Sequence, residues 1–476
     1  MPRTVTEPER QTPVWKDSDV LVVGGGVAGI VAAVAAARSG ARTVLIEQSG
    51  VLGNMAAGSV GLPILAFFST SGKRLTGGIP EEIVTRMMAL GGCAGHTMES
   101  GQKYSSGSIT VFDPEVFSRV VHQLLNESGV DVYLHTWFAA PWMDGHTVKG
   151  VFVETKSGRL AISARVTVDC SGDGDVAFRA GAPTAKPGGD SGEIQPATLP
   201  FVIDGVDVLR FAEAVRTNPE LYRVHQKIGI VDGARGPQVQ YSSREISGLE
   251  PLMVPLHAAD KLGFPQPFMI LCRTMREGQF FVNMAKVVDV DVTDVDSYSR
   301  GEMLARMRVA PVMDFLRQYV PGFEHIRVVS TPHQLGIREG RLLLGEHILT
   351  IDEMAARQTY PDTVAMGGRY VDIHRVEEKV DFAKRKVPVA QTFPDGYFIP
   401  YRCLVPRQVD GLLVAGRCSS ATRAAMGSVR VMGCVMALGQ AAGVAAALSA
   451  KSGAAPRDVN MAAAQDTLRR LGGIVE

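Results

Sequence analysis

Paired cysteines are missing from this sequence. Its six, Cys93, Cys170, Cys272, Cys403, Cys418 and Cys434, contain no C-x-x-C spacing, which argues against a zinc ribbon or a dithiol redox centre. They read as reduced, buried thiols of a cytoplasmic protein. Charge of one sign is also missing: 49 Lys and Arg balance 49 Asp and Glu, so no global field gathers nucleic acid or an anionic membrane. The basic clusters Arg273-Thr274-Met275-Arg276 and Lys384-Arg385-Lys386 lack interleaved aromatics and read as solvated faces. Residues 1–16 carry Pro2, Pro8 and Pro13 but no apolar core, so they read as a flexible tail and not a signal peptide. The apolar run Met436 to Ala450 contains Gln440 and falls short of the roughly 20 residues that span a bilayer, so a buried helix is expected. Asp289, Asp291, Asp294 and Asp296 lack the glycine turn and closing glutamate of a calcium loop, and no metal site is expected. A small molecule is the expected partner.

What is present begins with a strand. Asp19-Val20-Leu21-Val22-Val23 runs into Gly24-x-Gly26-x-x-Gly29, an Ala-rich helix follows from Ile30 to Ser39, and Gly40 stands where a C-terminal cap belongs. Arg42 to Ile46 gives a second strand ending at Glu47. In this order Gly24 and Gly26 let backbone approach a pyrophosphate, with Val27 and Ala28 counted as part of the same cofactor-binding turn. Gly29 lets helix and strand pack closely, and the helix N-terminus favours the anion. Glu47 is placed to accept hydrogen bonds from a ribose, which disfavours a 2′-phosphate. These residues predict a dinucleotide and do not choose between NAD and FAD. The loop from Gly50 to Gly58, with Gly53 and Asn54, is small enough for backbone to approach a second planar group. A helix is expected after Asp113-Pro114, a strand over Val130 to Leu134, and a hairpin at Lys156-Ser157-Gly158 between Val148–Thr155 and Leu160–Val166. Val166 to Cys170 then enters the turn Ser171-Gly172-Asp173-Gly174-Asp175.

These pieces, with Gly77 to Val84, Ile337 to Arg341, Val371 to His374, Ile399 to Leu404 and Leu413 to Arg417, resemble the FAD-dependent oxidoreductases of glutathione-reductase-like architecture, and a bacterial flavoenzyme family within them. The resemblance spans almost the whole chain. It implies FAD as cofactor and Asp173 in a second nucleotide-contact segment, where Cys170-Ser171 departs from the commoner Ala-Thr. It further implies that Gly416 and Arg417, then Ser428, Val429 and Arg430 ahead of a helix from Met432 to Leu448, reach the flavin. There Arg430 and the helix N-terminus would favour negative charge on the reduced ring. Neither Gly188-Gly189 nor Gly367-Gly368 has the strand and helix of a second dinucleotide fingerprint, so the substrate itself is the expected electron donor.

The fold implied is α/β: a Rossmann-type FAD-binding domain with a β-meander, at 17–182 and 397–476, and an inserted α+β substrate domain at 183–396. In the latter, strands are expected near Pro200–Ile203, Phe268–Cys272, Gln279–Val282 and Arg327–Ser330, with helices over Val208–Thr217 and Tyr298–Tyr319. The function implied is hydride transfer from a C–H bond next to oxygen or nitrogen in a small polar metabolite. His374, on the same side of an extended segment as Asp372, is the candidate base. Tyr401 and Arg402 are further catalytic candidates, with Arg402 placed either to clamp an anionic substrate or to neutralise the cofactor's phosphates. Arg338, Glu339 and Arg341 read as an ion-pair network or a carboxylate fork, the network being favoured. Two alternatives stand beside this: a reduced-flavin enzyme reacting with oxygen and fed by an external reductant, and a flavin-bound RNA-modifying or regulatory protein. Homo-oligomerisation is compatible with each.

Overall fold

Val20 to Val23 bury all four side chains, as a strand covered on both faces must. They close β1 (Val14–Val23), which feeds α1 (Val27–Arg38), β2 (Thr43–Ile46), α2 (Pro114–Glu127) and β3 (Asp131–Tyr133). Asp113 caps α2 by accepting from the Glu115 and Val116 N–H groups. A meander follows: β4 (Trp137–Asp144), β5 (Thr147–Thr155) and β6 (Gly158–Asp169), with Thr155 opposite Gly158 across the expected hairpin. The strands order as β3-β2-β1-β6-β5-β4, parallel from β3 to β6. A strand from the far end of the chain, Leu412–Val414, joins parallel to the last residues of β6 and makes the sheet seven-stranded. In this computed structural model residues 4–58, 60–99, 106–223, 228–233, 236–241, 245–374 and 391–476 are described, so Lys384-Arg385-Lys386 lies outside. The expected tail is shorter than 16 residues, because Val14 and Lys16 already pair with Ala161 and Ile162.

A second, antiparallel sheet has its own core. Its members are β7 (Phe201–Asp204), β8 (Tyr222–Arg223), β9 (Glu245–Gly248), β10 (Met269–Arg273), β11 (Phe280–Val282) and β12 (Arg327–Ser330), ordered β8-β9-β10-β11-β7-β12. Alternation sorts its side chains. Phe201, Ile203, Leu271, Phe280 and Val282 enter a core with α3 (Val208–Thr217) and the helices α4 (Val295–Met307) and α5 (Val309–Tyr319). Ile270, Cys272 and Phe281, on the other face, look into a cavity. The single helix expected over 298–319 is thus two, parted at Arg308. Pro311 has no N–H to give the Met307 carbonyl, which removes the bond a continuous helix needs there.

The last long helix, α6 (Met432–Ser452), has 21 residues, more than the apolar run suggests. By length and composition it matches a membrane span, yet 83% of its most apolar window is buried inside the fold. It lies on α1 through two glycines. A Cβ at Gly439 would sit 2.2 Å from the Ala28 carbonyl oxygen, and one at Gly443 2.1 Å from that of Ala32.

Candidate active site

The cavity between the two sheets holds about 1520 Å³. Pockets for one drug-sized ligand run to roughly 1,000 Å³, so there is room for a dinucleotide and a second small molecule. Its floor is the carboxyl end of the parallel strands. Gly24, at φ +104, needs its missing side chain because a Cβ would meet the Cys170 carbonyl oxygen at 2.4 Å. At Gly26 a Cβ would meet nothing within 4 Å, which is the open space of the cradle itself. Gly29 does not line the cavity; a Cβ there would press on the Gly24 carbonyl oxygen at 1.9 Å, so its part is close packing. Gly24, Gly26, Val27 and Ala28 all border the cavity, and α1 begins without a side-chain cap, so the N–H groups that a first helical turn leaves over open onto it. Glu47 borders it too, its carboxylate accepting from the Gly25 N–H at 2.7 Å and the Ser49 N–H at 2.8 Å.

The second turn is held by a residue to which the sequence reading gave no role. Asp169 is fully buried, and it accepts from the Ser171 N–H, the Ser171 hydroxyl and the Ala177 N–H. Asp173 borders the cavity with one carboxylate oxygen on Arg417 at 2.8 Å. Its other oxygen is buried without a partner, and so are Asn54 Oδ1, Arg417 Nε and Arg430 Nε. Gly53, Asn54, Gly416, Arg417 and Arg430 all line the same cavity. Buried polar atoms are ordinarily hydrogen-bonded, so four orphans on residues that line one cavity fit a long polar ligand such as FAD.

At the other end stand His374 and Asp372. His374 Nε2 lies 3.3 Å from Asp372 Oδ1, and its Nδ1 3.2 Å from Lys286 Nζ. Lysine donates, so Nδ1 accepts and the Nε2–H points at the carboxylate. Burial foremost, aided by Lys286 and Arg338 and opposed by Asp372, pushes His374 down to about 3, and the ring is neutral at ordinary pH. Burial would raise the Asp372 carboxyl, but His374, Arg369 and Arg430 together hold it well below the usual carboxylate range. Arg430 donates to the Asp372 carbonyl at 2.9 Å. The His374 N–H donates to Gln195 Oε1, and the Gln195 N–H in turn to Glu339.

Tyr401 and Arg402 require correction. Neither borders the cavity. Tyr401 is buried with its hydroxyl donating to the Pro456 carbonyl at 2.7 Å, and Arg402 forks onto Asp362 at 3.0 and 3.2 Å. Ser428 and Val429 also face away: they end a short helix, Arg423–Val429, and Ser428 bonds Tyr397 and the Arg369 carbonyl. Arg338, Glu339 and Arg341 separate in space. Glu339 pairs with Arg423 and Arg341 with Asp175, while Arg338 enters the cavity wall. Sequence reasoning missed Lys286 and Arg369, both buried and both lining the cavity, because a lone Lys or Arg in sequence carries no sign of burial. The six cysteines are free and buried, and no cluster able to hold a metal occurs among the described residues.

A family model described as FAD dependent oxidoreductase matches residues 19–468. A digeranylgeranylglycerophospholipid reductase of Methanoculleus marisnigri is 30% identical over 172 residues, which is 36% of this chain and 42% of that protein. The chain therefore matches less than half the length of this curated relative. Among solved structures, a geranylgeranyl bacteriochlorophyll reductase-like protein from Thermoplasma acidophilum is 13% identical, with a TM-score of 0.45 over 96% of this chain and 83% of that one. GidA of Aquifex aeolicus is 14% identical, with a TM-score of 0.46 over 92% of this chain and 64% of its own. At that distance none of their activities transfers. The family match over nearly the full length, set on a cradle with partnerless polar atoms along its wall, shows that the chain belongs to the FAD-dependent oxidoreductases.

Proposed function

We propose that this enzyme is a dehydrogenase or oxidase that removes a hydride from a C–H bond next to oxygen or nitrogen in a small polar metabolite. The observation that carries the reading is the line Asp372–His374–Lys286 on the cavity wall. When bound, FAD supplies a two-electron acceptor. The chain's own residues handle the proton. A substrate hydroxyl or amine that displaces Lys286 from Nδ1 gives its proton to that nitrogen, and Asp372 stabilises the imidazolium so formed. Gln195 fixes the backbone of His374 through its N–H. Arg430 and the uncapped start of α6, which border the cavity, favour negative charge beside them. The second sheet lines the cavity with Ile270, Cys272 and Phe281.

The test is anaerobic mixing of the FAD-loaded protein with candidate hydroxy and amino compounds. Bleaching of the oxidised flavin band by a compound that binds tightly is expected; if none of those that bind bleaches it, the reading fails. Substrate-dependent consumption of NADH would instead favour the oxygen-reacting alternative. A small-molecule substrate and a cytoplasmic setting, without nucleic acid or membrane as partner, go with this proposal.

A further inference from the structure

Among the described residues, Arg338 is a cation without a carboxylate partner. Its Nη1 donates to the Pro196 carbonyl and to Thr198 Oγ1, both at 2.6 Å and both neutral. Asp372, the described carboxylate that acts on it, is already engaged by Arg369, Arg430 and His374. Its neighbours in sequence are each paired, Glu339 with Arg423 and Arg341 with Asp175. Burial first and Arg430 second pull its proton affinity down to about 9, against the pull of Asp372, so the guanidinium stays charged at neutral pH but is poorly solvated. Lys286 is a second cation that acts on His374. It is 1% exposed and sits opposite Thr198 in a short strand pair, so it approaches His374 from the same wall as Arg338.

A charged guanidinium in a cavity wall, held by neutral groups through one nitrogen, keeps its remaining donors for something else. We propose that Arg338 binds a carboxylate of the substrate, and that the substrate class is a small 2-hydroxy or 2-amino acid. This deepens the dehydrogenase or oxidase reading and rests on it for the hydroxyl or amine. A planar fork of donors matches a carboxylate bidentately and gives a charge-assisted contact that an amide or alcohol lacks. Arg338, Lys286 and His374 all line the cavity, and both cations lower the proton affinity of His374, so an anion on Arg338 is held in the same cavity as the proton acceptor. The same anion offsets the two cations that weaken His374 as a base. Binding and proton transfer are thereby coupled, and a neutral substrate would leave the imidazole too weakly basic.

The test reads binding without turnover. FAD-loaded protein is titrated with sodium acetate, pyruvate and oxalate at constant ionic strength, with acetamide and sodium chloride as controls, and the oxidised flavin spectrum is followed. Saturable perturbation by the carboxylates and none by acetamide is expected. Arg338→Met should weaken it at least tenfold, and Arg338→Lys less, while Arg327→Met, on an exposed strand, should not change it. Equal responses to acetate and acetamide in the unmodified protein overturn the proposal, whether or not the Arg338 variants fold. So does an unchanged affinity in Arg338→Met that retains FAD. Bleaching by neutral alcohols without a carboxylate response would sink this proposal alone. A carboxylate response with no bleaching by any hydroxy or amino acid would sink the dehydrogenase or oxidase reading and leave the anion site standing.

Discussion

A neutral histidine between a lysine and an aspartate is a proton acceptor held in one tautomer. Replacing it should separate chemistry from binding. His374→Gln keeps a side chain able to bond Lys286 but cannot take a proton, so kcat should fall roughly 10²-fold or more while FAD occupancy stays the same, read by stopped-flow bleaching and by the flavin spectrum. At the nucleotide end Asp175 offers a pH test. Burial first, then the negative charges of Asp169 and Asp173, raise its carboxyl to about 6, with Arg341 opposing. The folded state therefore binds this proton more tightly than the unfolded chain does. Its favourable contribution is fully present below the ordinary carboxylate range and is lost as pH rises toward and through about 6. Asp175→Asn should accordingly melt higher than the parent at pH 7.5, with the gap closing as pH is lowered through 6. Because the side chain is 44% exposed, solvent screening limits the difference to about 1 kcal/mol or less. Thermal melts over pH 5 to 8 decide it. At this scale the sequence was legible where residues act as neighbours: Gly24, Gly26, Val27, Ala28 and Glu47 all line the cavity, as their spacing suggests. It was opaque where a role depends on an absent partner. Nothing in Arg338-Glu339-Gly340-Arg341 tells which arginine lacks a carboxylate among the described residues, and nothing near Arg402 announces Asp362.

The helix pair α1 and α6 joins the beginning of the chain to its end, and Gly439 and Gly443 set its separation. Alanine at either position puts a methyl carbon against a carbonyl oxygen of α1, a contact no side-chain rotation relieves. Gly439→Ala and Gly443→Ala should each cost about 1–3 kcal/mol, the usual penalty of overpacking. Because Ala28 lies in the first turn of α1 and borders the cavity, Gly439→Ala should also lower flavin content, whereas Gly443→Ala, one turn deeper, should lower the melting temperature more than it lowers flavin content. Absorbance ratios and melts on the purified variants separate the two. Elements with clean periodicity and caps were read almost to the residue, α3 among them at Val208–Thr217. Those that break a local rule were not. Pro141 argues against a strand, yet β4 contains it, because β4 lies at the sheet's edge where a missing N–H costs least.

Across the whole molecule, the cradle draws residues from the first strand, the second turn, the Gly416–Arg417 loop and the start of α6, so bound FAD should fasten all four. Removing it should lower the melting temperature; a ligand present at 100 times its dissociation constant adds about 2.7 kcal/mol of stability. Refilling the stripped protein should restore the melt, and failure to do so would argue against the cradle as the binding site. The strand Leu412–Val414 sets a further condition, which concerns time. Its partner edge on β6 leaves the ribosome long before Leu412 is made, and α1 waits longer still for the glycine face of α6. At roughly 5–20 residues per second, the apolar flank of the nucleotide domain stays uncovered for on the order of ten seconds or more during synthesis. A nascent chain stalled before Leu412 should therefore be a chaperone client rather than a half-built enzyme.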